Sequence, residues 1–341
     1  DLNLIAHRIA ELSLTPGILA QDGFLTSHVI ETLRLPERDL VYEYLGDPSD
    51  IIESPTPAQK MIFGETRRRI PELFDLDYPA MLGTVQNQDS YAQGVAAQRP
   101  FFFEHVRELA DIAFEEFYRL TGRRYAPATG YRTDDADYVV MGQGSIIWNL
   151  EEVCDHLRET EGLKIGVVNM TMFRPFPNDL VAALLHGKKG VLVLERVDQP
   201  LAGDAPLLRE ARGAVQKALE NGRASNGSVP YPGIEGYGLE EAPDFYSGVF
   251  GLGSRDVQPG DLIAAVHNML PEKNGKRFFY LGIDFLRDDV PATVADWQKK
   301  VLENYPGIKE YSLASDKNVN LMPKGALSVR IHSVGGWGAI T

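Results

Sequence analysis

The sequence predicts an α/β protein built on parallel sheets, and three observations predict it. Between residues 137 and 197, the apolar runs Tyr138-Val-Val-Met141, Lys164-Ile-Gly-Val-Val-Asn169 and Gly190-Val-Leu-Val-Leu-Glu195 alternate with helical stretches at Ile146 to Glu159 and Asp179 to Leu185. Strands and helices in that alternation imply a parallel sheet with right-handed crossovers. Phe101 to Thr121 carries Val106, Leu109, Ile112, Ala113, Phe117 and Leu120 along one stripe, which predicts a long amphipathic helix. Finally, 341 residues with 44% hydrophobic and 24% charged content form an ordinary globular composition, long enough for two or three domains.

In chain order, residues 1 to 14 read as an amphipathic helix through Leu2, Ile5, Ile9 and Leu12. Gly17 to Gly23 reads as a short buried strand ending in a polar turn, followed by a helix from about Ser27 to Leu33, which puts Asp22 to His28 at a strand-end turn where α/β sheets gather ligands. From Glu37 to Gln98 the chain is polar and rich in Pro and Gly, with short helical patches and no definite assignment. Gly142-Gln-Gly-Ser145 is a tight turn between a strand and a helix. Asn221 to Gly253 reads as surface loops, Arg277 to Gly282 as another strand, and Asp284 to Asn320 as an inter-domain connection closing near Pro323. The first residue is not Met and lies in a helix, and the chain stops at Thr341 just after a strand, Val329-Arg-Ile-His-Ser, and a turn, Gly335-Gly-Trp-Gly-Ala339. Both ends therefore read as cut.

Composition excludes several function classes. A net charge of -14 and a pI near 5.0 oppose binding to phosphate backbones, so nucleic acid is not an expected partner. Cys154 stands alone, which excludes an internal disulfide and any iron-sulfur cluster built from this chain, because such a cluster takes about four thiolates. No run approaches the roughly 18 apolar residues of a membrane span, and no basic-then-apolar leader opens the chain, so no membrane association and a cytoplasmic location are expected.

Few motifs carry chemistry by themselves. The Gly142-x-Gly144-Ser145 turn can be architectural or can offer amides and a helix N-terminus to a phosphate; it lacks the third glycine of the dinucleotide fingerprint. Gly335-Gly-Trp-Gly338 has the same two readings. His28, beside Thr26 and Ser27, can be an acid-base group or a capping residue. Arg174-Pro-Phe-Pro177 sets the chain direction after a strand. The seven histidines show no metal-ligand spacing, and neither a nucleophile elbow nor a complete P-loop occurs.

Longer strings resemble one family, in order, over nearly the whole chain. Gln21-Asp-Gly-Phe-Leu-Thr-Ser-His28 resembles the DGFRTSHE segment of single-chain pyruvate:ferredoxin (flavodoxin) oxidoreductases, and Gly83-Thr-Val-Gln-Asn-Gln-Asp89 is similar to their GTAQNPD. Thr121-Gly-Arg-Arg-Tyr125, Val140-Met-Gly-Gln-Gly-Ser145, Glu151-Glu-Val, His156-Leu, Phe173-Arg-Pro-Phe-Pro177, Gly251-Leu-Gly-Ser254 and Pro323-Lys-Gly continue the series. Leu25 stands where the family commonly has Arg, Val197-Asp-Gln-Pro200 replaces a Thr-Lys-Glu-Pro type of sequence, and 284 to 320 is long; these departures leave the exact 2-oxoacid open.

The resemblance implies three parts. Residues 1-129 would be the C-terminal half of a thiamine-diphosphate-binding, pyrimidine-type domain, 130-322 a transketolase C-terminal-like domain, and 323-341 the start of a gamma-type domain. It implies part of a dimeric enzyme that converts a 2-oxoacid, most readily pyruvate, into acyl-CoA and passes electrons to ferredoxin or flavodoxin. Thiamine diphosphate, Mg2+, [4Fe-4S] clusters and coenzyme A would belong to the complete enzyme, none held wholly by this segment and no metal by its residues alone. Asp22, Thr26, Ser27 and His28 would line or support the active-site mouth, and Gly335, Gly336 and Gly338 would meet coenzyme A phosphates. A non-catalytic docking module and a transketolase-like enzyme without clusters are the competing classes, separated by bound thiamine and iron and by an electron-acceptor assay.

Overall fold

The computed structural model describes residues 1–23, 35–72, 87–224, 229–283, 290–317, 319–322, 324–327 and 329. The first part is mostly helical. Helix α1 (Leu2–Ser13) lies against α5 (His105–Thr121), with α2 (Arg38–Leu45) beside them. Ile5, Tyr44, Ala110, Ala113, Phe114 and Phe117 form their shared core. The Tyr44 ring meets Phe117 edge-on at 5.2 Å, and its hydroxyl donates to the Ala113 carbonyl at 2.8 Å, so the one polar atom of this apolar contact is satisfied. A two-stranded antiparallel ribbon, β1 (Ile51–Glu53) and β2 (Thr66–Arg68), brackets α3 (Pro57–Phe63). The buried Arg67 side chain donates to the Glu11 and Leu12 carbonyls and so closes the C-terminal end of α1. Helix α4 (Gln88–Gln98) buries none of its side chains and runs through a π turn, Arg99–Phe103, into α5.

A six-stranded sheet follows, in the order β3-β5-β4-β6-β7-β8. Its strands are β3 (Ala128–Tyr131), β4 (Tyr138–Gly142), β5 (Ile165–Met170), β6 (Gly190–Glu195), β7 (Asp244–Val249) and β8 (Phe278–Tyr280). All pairs are parallel except β3 with β5. Helix α6 (Ile146–Glu161) joins β4 to β5, α7 (Asn178–Leu185) joins β5 to β6, α8 (Pro206–Gly222) joins β6 to β7 and α9 (Pro259–His267) joins β7 to β8. Alternate strand residues feed opposite cores: Val140, Leu192 and Leu194 pack with α6 and α9, whereas Val139, Met141, Val191 and Val193 pack with α7 and α8. Covered on both faces, β6 is buried at all six positions, which is why it reads as an unbroken apolar run.

The predicted α/β class and its central strands hold, and the differences have physical causes. Gly17 to Gly23 is not a buried strand: it is irregular, with Ile18 95% and Leu19 51% exposed, because no strand among the described residues pairs with it. The Asn221 to Gly253 stretch is not all loop. It contains β7, an interior strand whose partners β6 and β8 come from elsewhere in the chain. The segment after β8 holds α10 (Ala292–Asn304) and then returns to the sheet: Leu313 N donates to the Tyr280 carbonyl, and Leu313, Val319 and Leu321 join the core under α6 and α9. Phe101 to Phe103 belongs to the π turn, ahead of the predicted long helix, and Ile112 on that helix is exposed.

Candidate functional site at the switch point of the sheet

Strand β4 has β5 on one side and β6 on the other, so the chain leaves β4 into α6 on one face of the sheet and leaves β6 into α8 on the opposite face. A crevice opens at such a reversal, beyond the carboxyl ends of the strands. At these carboxyl ends lie Gly142 and the turn Gln143-Gly144-Ser145 that follows β4, Glu195 at the end of β6 with Arg196 just after it, and Gly251 shortly after β7.

Asp22 reaches this crevice from the N-terminal part. Its Oδ2 accepts the Ser145 backbone N–H at 2.9 Å, at the start of α6. Gly144 has φ 74°, a backbone conformation that favours glycine, and a Cβ there would come within 2.9 Å of that oxygen and displace the Asp22 carboxylate. Arg196 spans the same opening: Nε donates to the Gly251 carbonyl at 3.1 Å, Nη1 donates to the Gly23 carbonyl at 3.4 Å, and Nη1 lies 3.9 Å from Asp22 Oδ1. Beside it, the buried Glu195 accepts from the Leu207 and Leu208 amides at 2.6 and 3.2 Å and holds the start of α8. Burial pushes the Glu195 carboxyl up, against the opposing pull of those two amides. Asp198 accepts the Tyr280 hydroxyl at 2.7 Å; burial first, then this carboxylate, pushes Tyr280 up to about 12.

Of the residues predicted from sequence, Asp22 is at the crevice, while Thr26, Ser27, His28, Gly335, Gly336 and Gly338 lie outside the described residues. The phosphate reading of the Gly142 to Ser145 turn meets a competitor, since the Ser145 amide already serves a carboxylate of the same chain. Sequence reasoning missed Glu195 and Arg196. The available signal was a charged pair directly after a six-residue apolar strand. Among the described residues, no group of three His, Cys, Asp or Glu side chains is arranged to hold a metal ion, and no helix is long and apolar enough to cross a membrane. Cys154 does not fit a cluster ligand: its thiol is buried, donates to the Ile165 carbonyl and is pushed up to about 11 by burial, whereas a ligand must be a thiolate.

Residues 1–111 match the family described as "Pyruvate flavodoxin/ferredoxin oxidoreductase, thiamine diP-bdg", and residues 136–229 match "Pyruvate:ferredoxin oxidoreductase core domain II". A "Probable pyruvate-flavodoxin oxidoreductase" of Escherichia coli (strain K12) is 30% identical over 326 residues, 94% of this chain. The chain belongs to the pyruvate:ferredoxin oxidoreductase family. Within that family, the "Pyruvate synthase subunit PorA" of Thermotoga maritima is 30% identical over 261 residues, 76% of this chain. The chain spans 56% of the PorA relative and 24% of the Escherichia coli relative. A solved "2-oxoglutarate:ferredoxin oxidoreductase from Magnetococcus marinus" overlays with a TM-score of 0.33 at 15% identity, covering 57% of this chain and 27% of that one, a likeness too loose to support an argument. The two matched regions of the family meet in this structure at the Asp22 contact: Asp22 lies in the first and Ser145 in the second.

Proposed function

We propose that this chain is a segment of an enzyme that oxidatively decarboxylates a 2-oxoacid, pyruvate in the first place, to acyl-CoA and passes the electrons to ferredoxin or flavodoxin. The carrying observation is the pair of family matches, thiamine-binding region first and core domain II second, in that order on one chain. The division follows the one expected: 1-129 with the thiamine-binding part, 130-322 with the sheet, and 323-341 opening a gamma-type part. The separation of the helical core from the two sheet cores supports the first boundary.

Thiamine diphosphate, when bound with Mg2+, supplies the carbanion chemistry of decarboxylation. The residues of this chain position and shield. Asp22 is tied to the start of α6, and with Thr26, Ser27 and His28 it lines or supports the active-site mouth, a role supported by the resemblance of the Gln21 to His28 string to the family. Gly335, Gly336 and Gly338 offer backbone amides to coenzyme A phosphates. The [4Fe-4S] clusters lie on other parts of a cytoplasmic, homodimeric assembly, because Cys154 cannot hold one.

The test is pyruvate-dependent and coenzyme-A-dependent reduction of ferredoxin or flavodoxin by the assembled enzyme, run beside 2-oxoglutarate. The expected result is faster turnover with pyruvate, lost on removal of thiamine diphosphate. His28→Ala should lower turnover, and a bulky side chain at Gly336 should raise the coenzyme A requirement alone. No acceptor reduction with any 2-oxoacid would sink the proposal.

A further inference from the structure

Helix α6 begins without local help. Its N-cap, Ser145, makes no side-chain cap bond, and its first turn holds no acidic residue. The free amides of a helix start carry partial positive charge and call for an acceptor. Asp22 supplies it from 123 positions away. Arg196 secures the same corner from the other side, with one guanidinium fork reaching Gly23, Asp22 and Gly251. Its side chain is 22% exposed, unlike a freely solvated surface arginine. Glycine borders both partners: Gly144 beside Asp22 and Gly251 beside Arg196 have positive φ, and a Cβ at either would crowd the partner side chain, at 2.9 Å from Asp22 Oδ2 and 3.1 Å from Arg196 Nε.

We propose that Arg196 is a positioning residue for the reaction, holding the Asp22–Gly23 corner against the switch point of the sheet. In this role it touches no reacting atom and acts through Asp22 and the backbone of Gly23. The role in turnover rests on the reading under Proposed function. Asp22, placed at the active-site mouth under that reading, is the group whose position depends on Arg196, through the 3.9 Å approach of Nη1 to its Oδ1 and the bond from Nη1 to the Gly23 carbonyl. A lysine cannot replace the arginine, because a single ammonium does not present a planar fork to two separate carbonyls.

The experiment uses the assembled enzyme with Arg196→Ala, Arg196→Lys, Asp22→Asn, the Arg196→Ala/Asp22→Asn double variant, and Arg119→Ala as a control at a surface ion pair on α5. Hydrogen exchange is read at the Ser145 amide and across residues 17–23; kcat, KM for the 2-oxoacid and thiamine diphosphate affinity are read on the same preparations. Arg196→Ala and Asp22→Asn should each speed exchange at Ser145. Each should lower kcat by about 10- to 100-fold, the scale of a misplaced active-site group, with thiamine diphosphate affinity unchanged. Sub-denaturing guanidinium should restore part of both readouts in Arg196→Ala, Arg196→Lys should restore neither, and the double variant should be no worse than the worse single one. Unaltered Ser145 exchange in Arg196→Ala, or kcat losses that multiply in the double variant and ignore guanidinium, would overturn the proposal. Absence of wild-type turnover would refute the enzymatic reading and the role in turnover, while the exchange data would still decide whether Arg196 holds the corner.

Discussion

Glu195→Ala isolates one carboxylate and what it holds. Helix α8 starts with Pro206, which has no N–H, and Arg209 N already bonds the Ala205 carbonyl; Leu207 and Leu208 are thus the first-turn amides left, and Glu195 accepts both. Alanine would strand two amides in a buried place. At about 1–3 kcal/mol for each stranded group, partly offset by no longer burying a charge, the loss is about 2–4 kcal/mol. Urea unfolding followed by circular dichroism measures it. Glu195→Gln keeps one acceptor oxygen and should lose less than Glu195→Ala. The pH dependence has a definite sign. Burial raises the folded-state pKa of Glu195, so the folded protein binds the proton more tightly; this contribution is complete below the ordinary carboxylate range and is lost as pH rises through the elevated value. Glu195→Gln has no proton to lose, so its deficit relative to wild type should shrink from acid toward neutral pH. An alanine variant within about 0.5 kcal/mol of wild type, the usual spread for uninvolved surface positions, would refute the reasoning.

Three further predictions rest on single contacts. Gly166→Ala in β5 puts a Cβ 2.8 Å from the Arg132 carbonyl and 3.0 Å from Thr133 Cα, backbone atoms that cannot swing aside, so urea unfolding should show a loss of about 1–3 kcal/mol; an unchanged midpoint would contradict this. Tyr44→Phe removes the donor to Ala113 and keeps the ring against Phe117, so it should cost about 1 kcal/mol with the same far-ultraviolet spectrum, and a loss as large as a ring deletion would mean the hydroxyl does more than this bond. Cys154, buried and pushed up to about 11, should resist iodoacetamide at pH 8 in the folded protein and react in urea, with mass spectrometry as the readout; prompt native labelling would show that α6 opens from the sheet.

The fold was legible where a residue's fate is decided nearby. The runs at 138, 165 and 190 are apolar because both faces of the sheet are covered, and that signature survives in the linear sequence. Strand β7 lacks it: Asp244-Phe-Tyr-Ser-Gly-Val249 mixes polar and apolar residues among Gly, Tyr and Pro, and only its place between β6 and β8 makes it interior. The opposite error occurred at Ile18 and Leu19, where an apolar run looks like a buried strand although both side chains are exposed. At the site, Asp22 and the Gly142 to Ser145 turn could each be singled out, but not that they meet, and Arg196 binds carbonyls 55 and 173 positions away. Periodicity carries no information about such contacts.

The separate interiors of the two parts have a consequence for how such a protein can be divided among genes. Among the described residues, those up to Tyr125 build the helical core with a single contribution from beyond, Met172, while both sheet cores draw their buried residues from Ala128 onward. Across the seam the described links include the Arg107–Asp179 ion pair and the Asp22–Ser145 bond, polar contacts that can be remade between separate polypeptides. A break or a fusion at that seam leaves both sheet cores intact and costs the helical core the Met172 contact, so the same pair of modules can serve in chains of very different length.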